Sequence, residues 1–531
     1  MKLLSTTVRA SEGIAFGRAF VVQRNVAKVD REQGSVEQES ELFVAALEQS
    51  RVEIEALAAD SDIFAAHLEI IDDPMLAETV AAHISDGRGA TDAVDAACQE
   101  LVAMFEAIDD EYLAARATDI KDIFARISAN LTGGVQNPFE GVEDGDIIVD
   151  NELYPSDMAL LDFSKIRGFI TAQGSATSHV CIIARNLAVP AIVGLGEQFS
   201  QIESGDRVIV DALEGVVVVN PDIEVENDYR LRHLNYQALR AEQQQVAHSK
   251  VTYNGETIAV LANAGSVEDV ESAIAAGADG IGLFRSEFLY MQSSTEPTEE
   301  EQYQAYSAAV RACGGKPITI RTLDIGGDKA LPYMGFPKEE NPFLGWRAIR
   351  VSLERRDIFT RQLRAILRAS AEGEMRVMFP MIVSLDELME AKSLLEQCKA
   401  ELTAEGVAFD RNIKVGVMIE TPAAVFVADS LAANCDFFSI GTNDLVQYVM
   451  AADRANVKVA NLYNPYSKAV LRAIQMVISA ADDAGIECGM CGEFASDSNA
   501  TELLLGMHLC EYSVNIGAVS KIKYELNKLT N

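Results

Sequence analysis

Residues able to do chemistry gather at two places in this 531-residue chain. The first is a series of short apolar runs that end in functional side chains. Along TIAVLAN, GIGLFRSE, PITIRTLD, KVGVMIET, FFSIGTND and IECGMCGE these are Asn263, Arg285, Arg321 with Asp324, Glu420, Asn443 with Asp444, and Cys491. Arg454 follows in the loop after FFSIGTND. Guanidinium forks bind carboxylate and phosphate through paired N–H groups. Carboxylates in ones and twos, leaving room for a substrate phosphate, are how proteins hold Mg2+. Together these residues describe a small, dense anion held by arginines and a divalent ion. By spacing alone, Glu420 and Asp444 could equally serve only to pair the arginines. The second place is Gly174-Ser175-Ala176-Thr177-Ser178-His179, which follows the strand pattern Ile166–Thr171 and opens the helical run Val180–Arg185. A histidine in the first turn of a helix is disfavoured as imidazolium and lies where backbone N–H groups welcome an anion. That makes His179 a candidate neutral nucleophile. The other five histidines, His67, His83, His233, His248 and His508, lie in helical or polar contexts that suit packing or surface roles.

The elements that must carry these residues are legible as periodicity. From Thr257 onward, eight short apolar runs alternate with helical patterns; MRVMFPM and EYSVNIG complete the set. Eight strands with intervening helices predict a (β/α)8 barrel, whose active site is built at the carboxyl ends of the strands. GIAFGRAFVV near the amino terminus, and Asp146–Val149, Ile166–Thr171, Ala191–Val193, Arg207–Val210 and Val216–Val219 after Pro138, read as strands of an α/β domain. Between them the apolar residues recur at helical spacing, as in Phe43, Leu47, Ile54, Leu57 and in Leu101, Met104, Phe105, Ile108, Tyr112. Breaks at Asp73-Pro74 and Asp86–Gly89 give about four helices. The expected organisation is an α/β domain over 1–25 and 136–224, an all-helical insertion over 26–135, a linker helix over 225–251, and the barrel over 252–531.

Charge narrows the function. The chain carries a formal net charge of −37, which argues against unspecific nucleic-acid or anionic-membrane binding and leaves a basic protein partner open. From Asp30 to Arg126 there are 24 acidic and 6 basic residues, so the helical insertion holds about half of that excess. No apolar run approaches the ~20 residues of a membrane span, and the amino terminus lacks the pattern of a secretory signal. Eight irregularly spaced cysteines suit a reducing cytosol rather than a disulfide framework, so a cytoplasmic location is expected.

The motifs, taken in order, resemble Enzyme I of the bacterial sugar phosphotransferase system. They are GIAFGRAF, TSHVCIIARNLAVPAIVG, GLFRSEFLYM, IRTLDIGGDK, LPYMGFPKEENPFLGWRAIR, GVMIETPAA, DFFSIGTNDLVQY, ADR at Ala452–Arg454, and GMCGE. The resemblance covers essentially the whole chain. It implies a swivelling phosphohistidine α/β domain with an inserted helical subdomain, followed by a TIM barrel. It also implies that phosphoenolpyruvate phosphorylates His179 through Nε2, and that the phosphoryl group passes on to a histidine of the small carrier HPr. Arg285, Arg321, Asn443, Asp444 and Arg454 would then bind phosphoenolpyruvate, Glu420 and Asp444 would hold Mg2+, and Cys491 would protonate the departing enolate. The acidic insertion would dock the carrier, and the family pairs as a homodimer through its barrels.

Two positions depart from the family pattern: Ser175 stands where a second glycine is usual, and Val180 where a small hydroxyl residue follows the histidine. Cys488 adds a thiol three residues before Cys491, a spacing that points the two to opposite faces of a strand. Among related functions, a pyruvate-phosphate dikinase needs a nucleotide-binding domain for which this layout has no space. A nitrogen-related Enzyme I usually carries a sensory domain ahead of GIAFG, where only twelve residues precede Gly13.

Overall fold

The amino-terminal strands form one eight-stranded mixed sheet in the order β1-β8-β7-β3-β4-β5-β6-β2. The strands are β1 (Lys2–Ser5), β2 (Arg9–Ser11), β3 (Ile14–Val21), β4 (Asp146–Asp150), β5 (Ile166–Thr171), β6 (Ala191–Ile192), β7 (Arg207–Asp211) and β8 (Val216–Val219). This is a computed structural model, and it describes all residues except 7, 25–32, 59–61, 107–110, 134–136, 175–178, 188, 292, 294, 327–330, 338, 455, 457 and 531. The chain divides into two units, Met1–Ala238 and Leu239–Asn531.

In the first unit β3, β4, β5 and β6 run parallel, so each successive pair needs a crossover. Side chains alternate between two cores: Ile148 and Phe169 face one, Ile147, Val149 and Ile170 the other. Between β3 and β4 the chain leaves the sheet to build five helices, α1 (Val36–Ala58), α2 (Asp62–Ile71), α3 (Pro74–Ser85), α4 (Ala90–Glu106) and α5 (Glu111–Leu131). They share their own core, with Phe43, Ile54, Val80, Val94, Phe124 and Ile127 buried. The helical spacing predicts about four; α1 and α2 are separate helices although no glycine or proline lies between Ala58 and Asp62. α6 (Pro155–Leu160) and α7 (His179–Asn186) cover the sheet, and α8 (Ile223–Val246) leads out of the domain.

The second unit opens with β9 (Val251–Tyr253), antiparallel to β10 (Glu256–Ala264). The strands that follow are β11 (Ile281–Arg285), β12 (Ile318–Arg321), β13 (Met375–Phe379), β14 (Lys414–Ile419), β15 (Phe437–Ile440), β16 (Glu487–Met490) and β17 (Glu511–Val514). Each pairs in parallel with the next, and β10 pairs with both β17 and β11, closing an eight-stranded barrel. The eight expected apolar runs are its eight strands. Ser266, Thr298, Ser384, Thr421 and Ser467 cap the helices that follow, each accepting a backbone N–H that the first turn leaves over. The helices pack their apolar stripes on the barrel wall in a single core. Among the described residues no helix is long and apolar enough to cross a membrane.

Candidate active site

His179 is the first residue of α7, immediately after the β5 crossover loop, as its sequence context implied. α7 is fixed by burying Cys181 and Ala184 in the core that also holds Ile148 and Phe169. The approach begins at Gly174, whose φ of +114° is a conformation that glycine adopts without penalty. Ser175 and the side chains of His179 and Val180 lie outside the described residues.

The barrel's carboxyl-end mouth brings most of the other candidates together. Arg285 and Arg321 are register partners at the ends of β11 and β12. Arg321 is buried; one nitrogen, Nη2, bonds to Glu287, and Nη1 stands 3.0 Å from Asp324 Oδ2. Asp324 also accepts from Arg347 Nη2 at 3.0 Å, and Arg347 reaches Asp444 at 3.4 Å and the Tyr448 hydroxyl at 3.2 Å. Arg321 and Arg347 therefore interleave with Glu287, Asp324 and Asp444 in one buried lattice. Burial works against both guanidinium charges, but the surrounding carboxylates outweigh it and hold both pKa values above the ordinary arginine value. Among the described residues, Arg321 Nε and Arg347 Nε are buried donors without a protein acceptor.

Glu420 directly follows β14, almost fully buried at 2% exposed, and accepts the Met381 N–H at 2.6 Å. Met381 makes this bond from a φ of +57°, a left-handed strain of about 1–3 kcal/mol for a residue with a Cβ. At Gly441, after β15, a Cβ would stand 2.7 Å from Glu420 Oε2, so glycine is what allows the carboxylate to lie there. Burial, then the charges of Asp444 and Asp324, push the Glu420 pKa up to about 8, against the pull of Arg321 and Arg347. A hard divalent ion fits this donor set: it favours carboxylate oxygens and removes the repulsion that raises Glu420. Among the described residues no group of three or more His, Cys, Asp or Glu is arranged to hold a metal alone. Glu420 and Asp444 suit an ion that takes its remaining ligands from water and a substrate oxyanion.

Cys491 follows β16 with its thiol buried inside the barrel beside Leu283, Met378, Met418 and Phe437. Burial pushes its pKa up to about 11, with a Ser439 hydrogen bond opposing, so the sulfur keeps its proton at neutral pH. Asn263 Nδ2 donates to the Cys491 carbonyl at 3.2 Å and positions that turn. Cys488 is also buried but belongs to the outer core against the helices, and its carbonyl lies 3.1 Å from Cys510 Sγ. Asn443 accepts the Glu493 N–H through Oδ1 at 3.0 Å, and its carbonyl accepts the Tyr463 hydroxyl at 3.2 Å. Arg454 is exposed at the turn after the helix Thr442–Met450, where its backbone N–H donates to Gln447 Oε1 at 3.3 Å.

Sequence reasoning missed Arg347 and Glu287 as site residues. Neither ends a strand; Arg347 arrives from the long connection after β12, and Glu287 from the short helix Glu287–Met291. The available signal was their presence inside the matched motifs GWRAIR and GLFRSEF.

Comparison with known proteins gives this geometry a family. Three family models match in order along the chain: "PEP-utilising enzyme, N-terminal" over residues 6–116, "PEP-utilising enzyme, mobile domain" over 142–215, and "PEP-utilising enzyme, PEP-binding domain" over 240–531. Proteins named phosphoenolpyruvate-protein phosphotransferase from Bacillus sp. (strain S) and Geobacillus stearothermophilus are each 44% identical over 535 residues, which is 98% of this chain and 92% of theirs. A solution structure of an Enzyme I protein is 37% identical, covering 44% of this chain and all of its own, with a TM-score of 0.36. At such identity over nearly the full length, the chain belongs to the phosphoenolpyruvate-protein phosphotransferase family.

Proposed function

We propose that this protein transfers the phosphoryl group of phosphoenolpyruvate to His179 Nε2 and then to a histidine of an HPr-like carrier, the first step of sugar phosphotransferase uptake. The observation that carries the reading is the barrel mouth, where Arg285 and the buried Arg321, with its unused Nε donor, lie within electrostatic reach of a buried, protonated thiol. Arg285, Arg321, Arg347, Asn443 and Arg454 bind the carboxylate and phosphate of the donor. The P–O bond to the enol oxygen breaks as the P–N bond to a neutral imidazole forms. The enolate takes the Cys491 proton at its methylene carbon and leaves as pyruvate. Phosphoryl transfer asks little of a protein beyond alignment and charge neutralisation. Mg2+ bound by Glu420 and Asp444 supplies part of that neutralisation.

The relatives' shared name supports this activity over the nitrogen-related pathway. The acidic insertion, 26–135, serves as the carrier-docking subdomain, 1–25 with 136–224 as the phosphohistidine domain, and 225–251 as the linker along which it swings to the barrel, 252–531. The protein works in the cytoplasm as a homodimer joined through the barrels. The test is incubation with phosphoenolpyruvate and Mg2+. Acid-labile, base-stable phosphate on His179 with equimolar pyruvate is expected, and label reaching the carrier in a His179→Ala protein overturns the reading.

A further inference from the structure

The outer helix Arg356–Ala369 lies on the barrel wall with Ile358, Phe359, Leu363, Ile366 and Leu367 buried. Gln362, on the same helix, is fully buried too, and it is the polar exception on that inward stripe. A buried amide is costly unless every hydrogen bond is made, and here they are. Gln362 Oε1 accepts the Leu323 N–H at 2.9 Å, just past the end of β12. Gln362 Nε2 donates to Ser286 Oγ at 3.0 Å, just past the end of β11. Ser286 Oγ in turn donates to the Arg321 carbonyl at 2.7 Å. The second Nε2 hydrogen goes to the Tyr306 hydroxyl at 3.1 Å, which donates to Gln302 Oε1 at 3.3 Å. Where the backbone ladder between β11 and β12 stops at Arg285 and Arg321, side chains continue it.

We infer that Gln362 is a positioning residue for the anion site. It clamps the two strand ends so that Arg285 and Arg321 leave the barrel wall side by side, and Asp324 follows Leu323 into the lattice. This rests on the proposed use of phosphoenolpyruvate. Gln362 touches none of the groups that bind the substrate; it acts through Ser286 and the Leu323 amide. The Tyr306 hydroxyl also meets Ser286, so the internal control is taken one residue further out: the Tyr290 hydroxyl donates to Gln302 Oε1 at 3.3 Å and contributes to the fold rather than to the clamp.

The test compares Gln362→Met, Ser286→Ala and Tyr290→Phe in the full protein by KM for phosphoenolpyruvate, kcat and thermal midpoint. Losing a clamp of one or two buried hydrogen bonds is expected to raise KM about tenfold in Gln362→Met and about threefold in Ser286→Ala. Tyr290→Phe is expected to lower the midpoint while KM stays within about twofold of the parent, because its bond to Gln302 lies outside the clamp. KM values that follow the loss of midpoint across all three variants overturn the inference and leave a purely structural network. If Gln362→Met does not fold, the Ser286→Ala and Tyr290→Phe pair decides: equal KM values overturn it. A parent protein that releases no pyruvate overturns the proposed function, and this inference with it, whereas an active parent with flat KM values overturns this inference alone.

Discussion

The helical insertion and the barrel mouth are both rich in carboxylates, and they treat them in opposite ways. In the insertion, acids such as Glu37, Glu41 and Glu48 stand exposed along α1, and the block from Asp30 to Arg126 has four acidic residues for each basic one. The buried Glu39 accepts the Gly34 and Ala90 N–H groups, at 2.7 and 2.8 Å. In the mouth, Glu287, Asp324 and Glu420 are buried, and guanidinium or backbone N–H groups face them. Exposed charges cost little because water screens them; buried ones survive only with partners. The first arrangement makes a long-range field, and the second a rigid recess of fixed charge with donors to spare.

The comparison is broken most severely at Arg347. Replacing it by methionine takes a guanidinium partner from both Asp324 and Asp444 and leaves Glu420 with less compensation. Removing one partner of a buried ion pair costs about 3–5 kcal/mol, so urea unfolding is expected to shift by that amount and phosphoenolpyruvate-dependent pyruvate release to disappear. Arg347→Lys keeps the charge but not the two-pronged geometry and is expected to recover stability before activity. A cost under about 1 kcal/mol means that the lattice is as solvated as the insertion's surface.

Cys491 offers the next largest effect, on rate alone. A general acid contributes about 10²–10⁴-fold, so Cys491→Ala is expected to slow pyruvate formation at least a hundredfold with little change in KM. Stopped-flow detection of pyruvate checks it, and an unchanged rate removes the thiol from the mechanism.

How far these residues were legible follows the same division. Sequence periodicity located all eight barrel strands, and the polar residues at their ends gave Arg285, Arg321, Glu420 and Cys491, because the (β/α)8 architecture fixes which end of a strand is functional. The excess acid of the insertion was plain from composition, since exposure needs no partner. Arg347 was hidden because a residue folded in from a connection of more than twenty residues has no periodic signature; its place is decided by the carboxylates it neutralises. The division of α1 from α2 was hidden because no glycine or proline lies between Ala58 and Asp62, and alanine is a good helix former.

A partly buried carboxylate at the opposite end of the barrel sharpens the contrast through pH. Glu511 stands 3.5 Å from Arg376, yet burial, with Glu487 adding repulsion, raises its pKa to about 7. Its folded state holds the proton more tightly than the unfolded chain, so stability from this group is present below the ordinary glutamate value near 4.5 and lost as pH rises to about 7. The slope is at most one proton, about 1.4 kcal/mol per pH unit. Glu511→Gln is expected to flatten that part of the stability profile between pH 5 and 7, as measured by denaturant midpoints; an unchanged slope assigns the dependence to other groups.

The smallest effect belongs to the insertion's surface. Glu41 and Glu48 lie about two turns apart on the same side of α1, both exposed. The double change Glu41→Gln/Glu48→Gln is expected to alter stability by less than about 0.5 kcal/mol, because neither charge gives up a buried partner. If the insertion meets a basic carrier, the same change lowers its field and slows association by about two- to threefold at low salt. At 0.5 M salt the difference is expected to vanish, since screening shortens the reach of exposed charge to a few ångströms. Stopped-flow association at two ionic strengths separates the cases. A salt-independent decrease puts Glu41 or Glu48 in direct contact with the carrier, and no decrease at either ionic strength removes this face of α1 from the docking field.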